Sequence, residues 1–259
     1  MNRVVLGLRY DGRNFEGWQT QPHGCTVQDT LAKALGRIVQ SPFVLHCAGR
    51  TDTGVHARQQ VVHLDTDANR PHSAWVRGVN NFLPESVSVT GMMLADDSFH
   101  ARFSAVSRTY RYYFYSNPVC DPFKPFMTWV HYPLNLQAME EAAQALVGTH
   151  DFSAFRAAQC QAQSPVRIIH GIHLVSKPDH AYIEIHGNAF LHHMVRNMVG
   201  CLMEVGQGRQ PVQWVAQVLA SRDRSLAAKT YPAQGLSLWH IEYPEHYQIQ
   251  RLFEPLPWK

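Results

Sequence analysis

A chain of 259 residues has room for one large domain or two of ordinary size. Hydrophobic residues make up 45% of it and charged residues 17%, which excludes a disordered chain and supplies enough apolar material for real cores. The net charge of +3 permits a nucleic-acid partner without demanding one, so any basic footprint has to be local.

The opening Met1-Asn2-Arg3 leads into a short apolar run that ends at Arg9, too short for a signal peptide or a membrane span. The five cysteines, Cys25, Cys47, Cys120, Cys160 and Cys201, are widely spaced and form no Cys-x-x-Cys, as in a reducing compartment. A cytoplasmic location is therefore expected. The sixteen histidines fall in no zinc-ligand spacing, His192-His193 included, and no metal is expected.

Val4 to Tyr10 has the pattern of a strand. Thr26 to Val39 is predicted helical, with Thr26 and Asp29 at capping-box-like spacing and Val27, Leu31, Leu35 and Ile38 on one face. Two strands follow, Phe43–Ala48 and Gln60–Asp65, then a helix from Ser73 to Phe82 and a strand from Ser86 to Leu94. The order is β-α-β-β-α-β.

After the polar Asp96-Asp97-Ser98 the same order returns. Ser107–Tyr115 is predicted as a strand and Asn135–Val147 as a helix ended by Gly148. Val166–Val175 and Tyr182–Ile185 form a hairpin turned at Lys177-Pro178-Asp179. Leu191–Val205 is helical, another helix follows Pro211, and Leu236–Tyr243 is the last strand. The expected fold is α+β, with duplicated ferredoxin-like halves, mainly antiparallel sheets side by side and a central cleft. The halves are set at 1–100 and 101–259.

The two strands Phe43–Ala48 and Gln60–Asp65 are joined by Gly49-Arg50-Thr51-Asp52-Thr53-Gly54-Val55-His56. Loops on a rigid sheet are where catalytic groups tend to sit. This one is longer than a tight turn needs, and Arg50 is spaced to share a pocket with Asp52. A carboxylate beside a guanidinium stays ionised, which suits nucleophilic attack better than proton donation. Asp52-Thr53-Gly54 is also the tripeptide of aspartic proteases. Those enzymes pair two carboxylates, and this chain has no second copy of the motif.

Further blocks carry chemistry. In Thr109-Tyr110-Arg111-Tyr112-Tyr113-Phe114-Tyr115, alternation puts Tyr110, Tyr112 and Phe114 on one face, for core packing or, at Tyr110, for stacking on a base. Phe99-His100-Ala101-Arg102-Phe103 interleaves aromatic and basic groups, as an RNA-gripping surface would. Gln159-Cys160-Gln161-Ala162-Gln163 offers amides that donate and accept. Arg70 is a candidate phosphate contact. Arg196 lies among Val195, Met198, Val199 and Leu202 on an apolar helix, where an arginine needs an anionic partner: Asp52, or else Asp151 or Glu204.

Together with Tyr10-Asp11-Gly12, Gly17-Trp18-Gln19, Asp151-Phe152, Asn188 to Asn197 and Gly235-Leu236, these blocks closely resemble the tRNA pseudouridine synthase A family almost end to end. Thr53 departs from the alanine common there. The resemblance implies isomerisation of uridine to pseudouridine at positions 38, 39 and 40 of the tRNA anticodon stem-loop, with no cofactor. Asp52 is then the nucleophile, attacking the base or the sugar C1′. The resemblance further implies that Arg196 pairs with it, Tyr110 stacks on the target base, Arg50 helps displace that base, and Leu236 lines the pocket. Phe99 to Phe103 and Gln159 to Gln163 fall to tRNA contact, and the protein is expected to be a homodimer. A catalytically idle tRNA-binding module on the same scaffold is the alternative that would not need Asp52.

Overall fold

A computed structural model describes residues 1–255. Its contacts divide the chain into two compact units, Met1–Val106 with Leu238–Lys259, and Ser107–Ser237.

The first unit contains β1 (Asn2–Tyr10), α1 (Val27–Val39), β2 (His46–Cys47), β3 (His56–Thr66), a π-helical turn at Ala74–Gly78 and β4 (Val87–Ala95). The strands lie in the order β4-β1-β3, and β2 pairs with β3; every one of these pairings is antiparallel. This is the split β-α-β arrangement expected of a ferredoxin-like half. The second unit contains β5 (Ser107–Ser116), β6 (Thr128–Val130), α2 (Leu136–Ala143), β7 (Gly148–Asp151), β8 (Val166–Ser176), β9 (Ala181–Gly187), α3 (Met194–Gly206) and α4 (Trp214–Ser221). Its strands run β5-β9-β8-β7, again antiparallel, with β6 added parallel to β5. The last strand, β10 (Leu236–Glu242), is counted with the first unit from Leu238 onward and lies next to β3.

Several predicted elements shift for physical reasons. Of Phe43–Ala48 only His46 and Cys47 are strand, paired with His63 and Val62, while Val44 is exposed. The helix predicted from Leu191 begins at Met194, because His193 takes a left-handed φ of 61° that helical backbone cannot contain. The short β6 and β7 were not predicted; at three and four residues they carry too little alternation to detect. The Asn135 helix stops as an α-helix at Ala143, with one 3₁₀ turn at Gln144–Leu146.

α1 forms as predicted. Thr26 accepts the Asp29 N–H, and Val27, Leu31, Ala34, Leu35 and Val39 are buried. Its first turn is tied to the chain before it, since Val27 and Gln28 donate their N–H groups to the carbonyls of Gly17 and Trp18 at 3.2 and 3.1 Å. These two bonds satisfy donors that a helix start leaves without intrahelical partners.

The same segment cradles the loop carrying Asp52. Trp18 N–H donates to Thr51 O at 3.0 Å, and Gly54 N–H to Phe15 O at 3.3 Å. Phe15 and Trp18 are themselves buried. Gly54 turns the loop with φ of 79°, a region that costs other residues energy. At Gly12 the two segments touch: a Cβ there would run into the carbonyl of Val55.

His63 stands in the middle of β3 with 1% exposure. Burial, with the charges of His100, His46 and Arg3 adding to it, pushes its pKa down to about 3. The ring is therefore neutral in the folded protein at any ordinary pH, whereas unfolding lets it take a proton below its ordinary value near 6.5. Its contribution to stability is complete above pH 6.5 and is lost as pH falls from 6.5 toward 3.

Two outcomes follow from these packings. Gly12→Ala is expected to destabilise the first unit by about 1–3 kcal/mol in denaturant unfolding, because backbone must move to admit the methyl group. Between pH 6.5 and 4.5 the wild-type Tm should fall more steeply than that of His63→Gln, with a linkage slope of up to roughly 1 kcal/mol per pH unit. Parallel Tm curves would show that His63 titrates normally.

Candidate active site

Asp52 occupies the middle of the loop from β2 to β3, half-buried, between buried Thr51 and exposed Thr53. Thr53 thus faces away from the packed side of the loop. Val55 N–H closes a turn on Asp52 O at 3.1 Å. Arg50 is exposed on the same loop.

The backbone on either side is held by buried polar groups. Thr51 Oγ1 lies 2.8 Å from the Tyr10 hydroxyl, and Gln60 Nε2 donates to Gly49 O at 2.7 Å. Beyond the loop, His56 Nδ1 accepts the Gly12 N–H at 3.1 Å and stands 3.2 Å from Asp11 Oδ1. Burial alone would raise the pKa of Asp11. The hydrogen bonds and charge of Arg13, with the charge of His56, outweigh burial and hold it below the usual carboxylate range. None of these holding residues was assigned a role from sequence. The blocks Tyr10-Asp11-Gly12 and Gly17-Trp18 were visible as blocks, but Gly12, Gly17 and Trp18 act through backbone atoms, and the Tyr10 hydroxyl and Asp11 carboxylate act on partners distant in sequence, so neither leaves a local pattern.

In the second unit, Tyr110 on β5 is buried, with its ring edge-on to Phe190 at 5.0 Å. Leu236 is buried at the head of β10, its N–H on Ala233 O at 2.8 Å. Arg196 is half-buried in the first turn of α3 and donates through Nε to Tyr231 O at 2.8 Å, while Tyr231 N–H returns to Arg196 O at 3.3 Å. The other carboxylates considered for Arg196 have cations of their own: Asp151 lies 3.5 Å from Arg222, and Glu204 3.5 Å from Arg209.

The expected RNA-contact blocks divide by burial. Phe99 and Ala101 are fully buried, Phe99 against Tyr243 and Tyr247, so neither can touch RNA. Their part is to anchor the segment. Arg102 and Phe103 are exposed, the guanidinium 5.6 Å from the ring centroid, and His100 is half-exposed beside them. Gln159, Gln161 and Gln163 are exposed, with Cys160 and Ala162 partly covered between them. Arg156, a residue not singled out in the sequence, ties this turn down by donating to Cys160 O at 2.6 Å and Ala162 O at 2.8 Å. Burial pushes the Cys160 thiol up, but backbone hydrogen bonds and Arg156 outweigh it and bring it below its ordinary value. Arg70 donates to Ile38 O at 3.2 Å and to Gln40 Oε1 at 3.4 Å, so it closes the end of α1.

One set of potential metal ligands lies near the first block. His46, His63 and His100 each place a ring nitrogen within 4.8 Å of the other two. However, His63 Nδ1 accepts the Ala101 N–H at 3.2 Å, and His100 Nδ1 accepts those of Arg102 and Phe103 at 3.1 and 3.3 Å. A metal-bound imidazole keeps its proton on the second nitrogen and donates it outward. Two of these three rings instead present a lone pair there, which fits neutral histidines that order residues 100–103 rather than a cation site.

Comparison with known proteins gives the chain its family. The family model described as tRNA pseudouridine synthase matches residues 8–104 and 142–244. A tRNA pseudouridine synthase A of Bordetella petrii is 53% identical over 252 residues, covering 96% of this chain and 94% of the relative. Those of Aromatoleum aromaticum, 53% identical over 252 residues, and Paraburkholderia xenovorans, 50% over 250, cover 95% and 96% of this chain and 94% and 93% of their own lengths. The matched stretches contain Asp52, Arg196 and Leu236, and over so large a part of its length the chain belongs to the tRNA pseudouridine synthase family.

Proposed function

We propose that this isomerase of tRNA converts uridine to pseudouridine at positions 38, 39 and 40 of the anticodon stem-loop, with Asp52 as the nucleophile. The observation that carries the reading is a half-buried carboxylate in a loop whose backbone is held on both sides, within a chain of this family. The reaction breaks the C1′–N1 bond of one nucleotide and forms C1′–C5. The C5 proton leaves and N1 gains one, so atoms and electrons balance without a cofactor.

The target uridine leaves its stack, at a cost of a few kcal/mol that contacts elsewhere must supply. Asp52 attacks C1′ or the base and is released when the C1′–C5 bond has formed. Arg196 serves to keep the carboxylate ionised and oriented, a task suited to its planar fork. Asp151 and Glu204, the other carboxylates on hand for it, are matched to Arg222 and Arg209. Tyr110 offers the base a ring, Leu236 an apolar wall, and Arg50 a cation that helps displace the base.

Exposed Arg102, Phe103, Gln159, Gln161 and Gln163, with the edge of His100, grip the RNA. Such contacts position the substrate and give affinity that falls with salt. We assign the protein to the cytoplasm, where its substrate class and its five free cysteines both belong. Among the described residues no helix is long and apolar enough to cross a membrane. A homodimer completes the proposal.

Asp52→Asn keeps the shape of the side chain and removes its nucleophilic charge. Pseudouridine mapping of an anticodon stem-loop should show at least ~10³-fold slower formation, with RNA affinity within about 3-fold of wild type. A variant that still makes pseudouridine would mean the nucleophile lies elsewhere. Arg102→Ala should raise KM several-fold at unchanged kcat and reduce the salt slope of binding by about 1.

A further inference from the structure

Gln60 sits on β3 with no exposed surface, followed by the fully buried Val61 and Val62. Strands bury apolar side chains, and a leucine or methionine would fill this volume with no polar group to satisfy. An amide stands there instead, and both its nitrogen and its oxygen reach the Asp52 loop. Nε2 donates to Gly49 O at 2.7 Å and to the Tyr10 hydroxyl at 3.4 Å, and Oε1 accepts the Gly49 N–H at 3.4 Å. One side chain thus grips both backbone polar groups of a single loop residue.

The Tyr10 hydroxyl passes the constraint on. It lies 2.8 Å from Thr51 Oγ1, and Thr51 O takes the Trp18 N–H at 3.0 Å. The residue immediately before Asp52 is therefore fixed through its side chain and its carbonyl. Gly49 and Thr51, the two residues flanking Arg50, are both tied to this one network.

We propose that Gln60 and Tyr10 are positioning residues for the nucleophile: they do not touch the substrate, but they fix the backbone from Gly49 to Thr51 so that the Asp52 carboxylate is held where it attacks. The inference rests on the reading of Asp52 as nucleophile. Misplacement of a reacting group by about 1 Å can cost on the order of 100-fold in rate. A positioning role accordingly predicts a loss in kcat with little change in RNA binding.

The test uses Gln60→Leu, Tyr10→Phe, the double variant and Asp52→Asn, each measured for pseudouridine formation on an anticodon stem-loop, for RNA Kd and for Tm. Expected is a kcat lowered ~10–100-fold in Gln60→Leu and less in Tyr10→Phe, with KM and Kd within about 3-fold. The double variant should be no slower than Gln60→Leu, because the two act through one network. Should Gln60→Leu fail to fold, Tyr10→Phe decides alone, since it removes one hydroxyl and no packing volume. Wild-type kcat in the folded single variants, with Asp52→Asn inactive, overturns the positioning role alone. Turnover by Asp52→Asn overturns the nucleophile reading on which the role rests.

Discussion

A loop that presents a carboxylate from a packed sheet has to satisfy its own backbone while leaving the side chain open to reaction. Backbone N–H and C=O groups shielded from water are costly when unpaired. Around Asp52 this requirement is met from three directions, Gln60 on Gly49, Trp18 on Thr51 and Phe15 on Gly54, while Tyr10 holds Thr51 through its side chain. The first turn of α1 is tied to the same Gly17-Trp18 carbonyls, so the helix, the sheet and the loop are bound into one network. Preorganisation of this kind is what a reacting group on a loop requires, since the loop would otherwise spend entropy on finding its position.

The same logic governs the two blocks proposed to face RNA. In Phe99-His100-Ala101-Arg102-Phe103 the buried members hold the exposed ones: Phe99 is packed in an aromatic cluster, and the Ala101 N–H is given to His63. Neutral His63 and His100 accept backbone N–H groups, which orders the segment from which Arg102 and Phe103 project. Arg156 plays the corresponding part beneath Gln159 to Gln163. The residues proposed for RNA contact and those that support them are thus interleaved along the chain.

Much of this was legible in sequence, and the exceptions have a common cause. The capping of α1 by Thr26, the β8–β9 hairpin and the Asp52 loop all follow from local patterns: a cap and its period, a turn tripeptide, a polar insert between apolar runs. Gln60 was not legible. In a predicted strand a glutamine marks a solvent face, and only the three-dimensional register shows β3 buried at Gln60, Val61, Val62 and His63 in succession. The burial of Phe99 and Ala101 was hidden in the same way, because an aromatic–basic alternation has the same composition whether its aromatic faces RNA or a core. Arg70 offers the converse case, an arginine with a local carbonyl to cap and therefore a structural task.

Everything in the proposed reaction depends on where the Asp52 carboxylate lies when substrate is bound, and an experimental structure of the protein with an anticodon stem-loop measures that directly. The target uridine is expected to be turned out of its stack, with a carboxylate oxygen of Asp52 within roughly 3–3.5 Å of C1′ or the uracil ring. A bound stem-loop whose everted uridine meets some other side chain, with Asp52 left facing solvent, would contradict that placement.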